Sequence, residues 1–263
     1  MTANLRVTMI QADLAWQDPA ANRHRLAAHC RGLAGHTDLI VLPEMFTTGF
    51  TMDAATLAET MDGATVGWMR EEAAATGCAI TGSLIVREDG RHYNRLVWAA
   101  SDGSLAHYDK RHLFRMAREQ EHFSGGQART VVEIKGWRVC PLVCYDLRFP
   151  VWSRNRGDYE VLLYVANWPS RRRAAWNALL RARAIENVAY VIGVNRVGKD
   201  GNGAGYAGDS VALDFLGETL GGDRGGEFVE TVVLDRESLA TFRRDFPVHL
   251  DADPFELGPG AQT

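Results

Sequence analysis

Val139-Cys140-Pro141-Leu142-Val143 is an apolar run, and Cys144-Tyr145-Asp146-Leu147-Arg148-Phe149-Pro150 follows it directly. A short β-prone run that turns polar at once predicts a strand ending in a sharp turn. A thiol at such a turn is presented to a cleft by a rigid element. The backbone N–H of the next residue can point the same way, which is the geometry covalent acyl transfer requires. A cysteine is also a small hydrophobe that commonly packs in a core. Residues elsewhere in the chain decide between the two.

Outward from this stretch, strand-like and helix-like segments alternate. Leu5 to Gln11, Asp38 to Leu42, Cys78 to Val86, Tyr93 to Ala100, Leu105 to Tyr108, Trp137 to Val143 and Glu160 to Ala166 read as strands. So do Val188 to Asn195, Ser210 to Asp214 and Phe228 to Leu234. Pro43 halts the second of them. Glu88-Asp89-Gly90-Arg91 predicts a hairpin turn. Helical patterns cover Ala20 to Leu33, Thr65 to Thr76 with Thr65 as N-cap, Arg172 to Asn187, and Glu237 to Asp245. Hairpins beside strand–helix–strand units predict an α/β layered fold with mixed sheets. With no internal repeat or low-complexity linker, one domain is expected over residues 1–250, with a tail at 251–263.

The chain has 263 residues, a net charge of −4, and 46% hydrophobic and 24% charged residues. That balance gives no electrostatic case for nucleic acid or an anionic membrane. Arg171-Arg172-Arg173 is a short run, read as a helix start facing solvent. No stretch approaches the roughly 18 apolar residues of a membrane span. The opening residues lack a signal-peptide pattern, so a cytoplasmic protein is expected. Cys30, Cys78, Cys140 and Cys144 form no CxxC pair and stand near no zinc-like histidine cluster. Free thiols are expected, with no metal and no cofactor.

Two charged residues stand, like Cys144, where strands are expected to end. Glu44 follows Leu39-Ile40-Val41-Leu42-Pro43, and Lys110 follows the strand-like Leu105 to Tyr108 by two residues. In layered α/β folds, functional groups gather at the carboxyl ends of strands. Together these residues supply a thiol hydrolase that needs no histidine. A carboxylate takes the thiol proton and returns it to a leaving amine. A nearby ammonium favours thiolate and stabilises an oxyanion, with the Tyr145 N–H as a second oxyanion donor. His112 and His122 have no Asn/Asp context that singles out a cysteine-protease partner.

Leu42-Pro43-Glu44, Asp109-Lys110-Arg111-His112-Leu113-Phe114 and Cys144 to Pro150, in that order, resemble the signature segments of the nitrilase superfamily of carbon–nitrogen hydrolases. The resemblance spans roughly residues 5 to 250. It includes Ala166-Asn167-Trp168-Pro169 and Arg183-Ala184-Ile185-Glu186-Asn187, and the cysteine segment is most similar to the ω-amidase branch. It implies a four-layer αββα sandwich with two mixed β-sheets, paired as a homodimer. It implies Glu44 as base and acid, Lys110 as oxyanion and thiolate stabiliser, and Cys144 as nucleophile. The family's second glutamate lies seven residues before a glycine. Glu119 stands seven before Gly126, and Glu121 is the competing choice.

The implied substrates are small amides, namely 2-oxoglutaramate and 2-oxosuccinamate. Deaminated glutathione, carbamoyl amines and nitriles are the rivals within the superfamily. A non-catalytic interaction protein would be expected to lack Glu44, Lys110 or Cys144. A substrate carboxylate calls for a cation near the nucleophile, and Arg148 lies four residues after Cys144. If the turn is helical, the two share a face and Arg148 can form a bidentate pair. The alternative is a structural ion pair with Asp146 or a core carboxylate. Phe46, Phe114, Tyr145 and Trp168 are candidate pocket walls or core residues.

Overall fold

The structure is a computed structural model, and it describes residues 4–222 and 224–257. Five strands open the first sheet: β1 (Leu5–Gln11), β2 (Leu39–Val41), β3 (Ala79–Glu88), β4 (Arg91–Ala99) and β5 (Leu105–Asp109). The second sheet holds β6 (Val132–Ile134), β7 (Trp137–Val143), β8 (Val161–Ala166) and β9 (Tyr190–Asn195). A small hairpin follows, formed by β10 (Val197–Lys199) and β11 (Gly205–Ala207). Then β12 (Val211–Leu213) and β13 (Thr219–Gly222) complete the second sheet, and β14 (Phe228–Leu234) returns to the first.

The two sheets have the orders β14-β1-β2-β3-β4-β5 and β13-β12-β9-β8-β7-β6. Each has a parallel centre with antiparallel edges: β1, β2 and β3 in one, β7, β8 and β9 in the other. Mixed sheets in a layered α/β fold were expected, and they are what is found. The expected strands at Asp38 and Ser210 are shorter than read. β6, β10, β11 and β13 are three or four residues each, too brief for alternation to reveal.

The helices are α1 (Pro19–Arg31), α2 (Ala54–Leu57), α3 (Ala64–Thr76), α4 (Pro150–Ser153), α5 (Arg173–Asn187) and α6 (Arg236–Asp245). Leu26 and Cys30 of α1, with Val66, Met69 and Ala73 of α3, pack on Ile10, Ile40, Ile80 and Val97 of the first sheet. The other face of that sheet, through Val7, Met9, Leu39, Val41 and Trp98, shares a core with β7, β8 and β9. Trp176, Leu180 and Ala184 of α5 and Leu239 of α6 join that core. The layers therefore run helix, sheet, sheet, helix. The central strands are apolar along their whole length because both of their faces are covered.

The start of α3 differs from the expectation. Gly63, not Thr65, is the N-cap. Glu59 caps the helix from outside, accepting from the Thr65 N–H at 2.7 Å and also from its hydroxyl. Of the tail expected at 251–263, Asp251 ends a short 3₁₀ turn, Val248–Asp251, and residues 258–263 lie outside the described residues. Among the described residues no helix is long and apolar enough to cross a membrane.

Candidate active site

Cys144 follows β7 with φ +43°, the left-handed region that a residue with a Cβ enters only under constraint. The constraint is Asp146, fully buried two residues further along the 3₁₀ turn Cys144–Arg148. Its carboxylate accepts from the Val143 N–H at 3.1 Å, the Tyr108 hydroxyl at 2.8 Å and the His112 N–H at 3.0 Å. His112 Nδ1 lies 2.7 Å from the same carboxylate, and its ring stacks on Phe149 at 3.8 Å. His112 therefore braces the turn, and His122 is exposed. The Tyr145 N–H sits at the start of the turn, where no intrahelical carbonyl is available to it.

Lys110 directly follows β5 and is 1% exposed. Gly126 packs on this strand end so closely that a Cβ there would meet the Asp109 carbonyl oxygen at 2.1 Å. Lys110 Nζ donates to Glu44 Oε1 at 3.0 Å and to both oxygens of Glu119 at 3.0 and 2.9 Å. Both carboxylates are fully buried. Glu44 Oε2 accepts from the Asn167 N–H at 2.8 Å, and Oε1 also accepts from Asn94 Nδ2 at 2.8 Å. Glu119 Oε2 accepts from the Phe114 N–H at 2.6 Å. Glu121 is exposed and pairs with Arg118, so only Glu119 of the two candidate glutamates reaches the cluster.

These neighbours set the titration of the site. Burial would lower the Lys110 pKa, but Glu119 and Glu44 outweigh it and raise it above the ordinary value. Burial pushes the Glu119 carboxyl up, and Lys110 opposes that shift. The Cys144 thiol is held well above its ordinary value, first by burial, then by the charge of Glu44, while Lys110 pulls it down. The resting sulfur is thus a thiol with a carboxylate beside it and an ammonium within electrostatic reach.

A cavity of about 400 Å³, counting solvent at its mouth, opens over Cys144. Phe50, Phe114, Tyr145, Arg148, Trp168 and Arg172 are among the residues that line it. The expectation for Phe46 fails. It is fully buried on the opposite side of the first sheet, 5.8 Å from the Trp68 ring and against Gly82. Phe50, four residues on, takes the wall position that sequence adjacency assigned to Phe46. The reading of Arg171 to Arg173 as a solvent-facing run also fails at its middle member. Arg171 is exposed and Arg173 pairs with Asp209, but Arg172 turns into the cavity over the Phe114 ring. Arg148 lies 4.9 Å over Trp168. Asp146, the acid suggested as its structural partner, is occupied by the other groups above.

Asn94, Phe50 and Tyr206 were not picked out from the sequence, and Arg172 was set aside as solvent-facing. Asn94 carried no local signal, because it stands in Arg91-His92-Tyr93-Asn94-Arg95, the polar half of β4. Among the described residues no group of three or more His, Cys, Asp or Glu side chains is arranged to hold a metal ion.

A buried Glu–Lys–Glu cluster beside a strand-end thiol, between two mixed sheets, defines a class of amide-cleaving hydrolase. The carbon-nitrogen hydrolase family model matches residues 6–244, and the chain belongs to that family, whose enzymes hydrolyse carbon–nitrogen bonds. It is 46% identical to the omega-amidase YafV of Escherichia coli over 254 residues, 96% of this chain and 98% of that one. It is 32% identical to the 2-oxoglutaramate amidase of Bacillus subtilis, covering 93% and 96% of the two chains. The crystal structure of a CN-hydrolase superfamily protein from Xanthomonas campestris superposes with a TM-score of 0.96 at 50% identity, covering 97% and 100%. That protein carries an arsenic adduct in its active site.

Proposed function

We propose that this chain is an ω-amidase that hydrolyses the terminal amide of short dicarboxylic acid monoamides, 2-oxoglutaramate and 2-oxosuccinamate, to the 2-oxo acid and ammonia. The observation that carries the reading is the placement of Cys144, Lys110 and Arg148 around one small cavity, with Glu44 bonded to the ammonium and within electrostatic reach of the sulfur. The activities of the omega-amidase and 2-oxoglutaramate amidase relatives support it.

In the proposed reaction Glu44 takes the proton from Cys144 and the sulfur attacks the amide carbonyl. Lys110 Nζ and the Tyr145 N–H hold the oxyanion. Ammonia leaves with the proton from Glu44, and a thioester remains. Glu44 then activates water to release the acid. Glu119 acts through Lys110, holding the ammonium in place with both oxygens. Arg148 binds the far carboxylate, and Phe50, Phe114 and Trp168 shape the space between. The fold works as one domain over residues 1–250.

A homodimer in the cytoplasm is part of the same reading. Ile185, Leu216 and Phe246 are exposed at 51%, 52% and 57% on the side of α5 and α6. The turn after Leu216 packs on Ile185, and Phe246 reaches Phe215 through Phe242. A second copy covering this apolar patch is the simplest occupant. Four buried free thiols suit a reducing compartment.

The test is ammonia release from 2-oxoglutaramate, deaminated glutathione, a carbamoyl amine and a simple nitrile, with the wild type and Cys144→Ala. Turnover of 2-oxoglutaramate well above the others, abolished in the variant, is the expected result. Amide turnover that survives Cys144→Ala would sink the proposed mechanism.

A further inference from the structure

The cavity over Cys144 is lined by two arginines, and no ion pair joins either to a carboxylate among the described residues. Asp146, nearest in sequence to Arg148, is taken by Tyr108 and His112, and Asp209 is taken by Arg173. Arg172 is the more telling of the two. The 3₁₀ turn Ser170–Arg172 after Pro169 carries it across the end of β8. Among the described residues its buried Nη1 has no hydrogen-bond acceptor, and its Nη2 meets the Met116 sulfur at 2.8 Å. The Phe114 ring, 5.2 Å away, supports the guanidinium face without satisfying its N–H groups. Burial and the nearby charges of Arg171 and Arg148 all lower its pKa, so its charge is held at a cost. A desolvated donor beside a second cation is a site that an anion relieves.

We propose that Arg172 is a second specificity residue of this site, and that Arg148 and Arg172 together select amides whose far end is a 2-oxo acid. The inference rests on the ω-amidase reading and narrows it. A plain carboxylate offers two oxygens, which one guanidinium fork can occupy. A 2-oxo acid places a third acceptor, the keto oxygen, next to the carboxylate. Two guanidinium groups at one cavity match three acceptors better than two. Arg148 and Arg172 share the three oxygens, and Nη1 of Arg172 gains the acceptor that the protein does not provide.

The experiment compares 2-oxoglutaramate, glutaramate and butyramide as substrates for the wild type, Arg148→Lys, Arg172→Lys and Arg172→Met. These substrates differ by the keto group and then by the carboxylate. Losing a hydrogen bond to a charged group predicts that kcat/KM for 2-oxoglutaramate falls roughly 10- to 100-fold in Arg172→Met, mainly through KM. It should fall less for glutaramate and least for butyramide, with partial recovery in Arg172→Lys. An equal fall on all three substrates would make Arg172 a structural support for Phe114 and overturn the proposal. No fall on any would do the same.

A second measurement separates this proposal from the function it rests on. The product 2-oxoglutarate should protect Cys144 from iodoacetamide, and protection should weaken in Arg172→Met. If the wild type shows no preference for 2-oxoglutaramate, the ω-amidase reading fails. Weaker protection in Arg172→Met then still supports the two-arginine site, and equal protection in both proteins overturns it.

Discussion

Burial favours the thiol form of Cys144, and its neighbours Glu44 and Lys110 act on that balance with opposite signs. Burial and Glu44 hold the proton on, and Lys110 pulls it off. Removing one neighbour at a time therefore has a predictable direction. Lys110→Met should move the Cys144 titration further up, and Glu44→Gln should move it down. Thiolate absorbance against pH reads both. Subtracting the Cys144→Ala protein removes the background of Cys30, Cys78 and Cys140. Shifts of the same sign in the two variants would show that Coulombic contacts do not govern the sulfur. Glu44, Lys110 and Cys144 were legible because each stands beside an apolar run in a recognisable segment. Phe46 and Arg172 were misread because adjacency along the chain does not say which side of a turn a residue takes. In a turn, one step reverses the direction a side chain faces.

At the scale of elements, the turn after β7 is tied to the segment after β5 by one carboxylate. Asp146 collects donors from Val143 within its own turn and from Tyr108 and His112 across the gap. Trp152 Nε1 extends the network, donating to the Tyr108 oxygen at 2.9 Å. Removing an acceptor while leaving buried donors costs about 1–3 kcal/mol for each donor stranded. Asp146→Ala should therefore destabilise the protein by roughly 3 kcal/mol or more, read as a lowered urea midpoint with an unchanged slope. It should also reduce amide turnover in the protein that remains folded, because the sulfur and Lys110 lose their shared brace. A drop in stability with full activity would show that the left-handed turn is held by other contacts. The helix starts divide along a similar line. Asp18 before Pro19 caps α1 locally, accepting from the Ala21 N–H. The cap of α3 comes from Glu59, outside the helix, where no local pattern marks it.

Across the whole molecule, the strand order could not be read from periodicity. Alternating patterns reveal strands, but nothing in them states that β14 pairs with β1 or that two parallel centres face each other. Those facts depend on which faces are buried against which, a property of the folded chain. The resemblance implied the layering, and the structure has it. The apolar patch at Ile185, Leu216 and Phe246 is likewise a feature only the assembled surface displays. Ile185→Asp should convert the proposed dimer to a monomer in size-exclusion chromatography with light scattering, while the monomer retains its helical circular dichroism. A wild type that elutes as a monomer at micromolar concentration would end the dimer reading.

Glu44 and Lys110 follow strands of one sheet, and Cys144 and Asn167 follow strands of the other. The sulfur and its base are therefore separated by 100 residues of chain and meet only across the seam between the layers. During synthesis the first five strands of that sheet emerge with an acid and a cation but nothing for them to activate. The thiol, when it follows, is inert until the layers close. The reactive sulfur is thus a product of docking between the layers, and turnover in this protein doubles as a report that its two sheets have met.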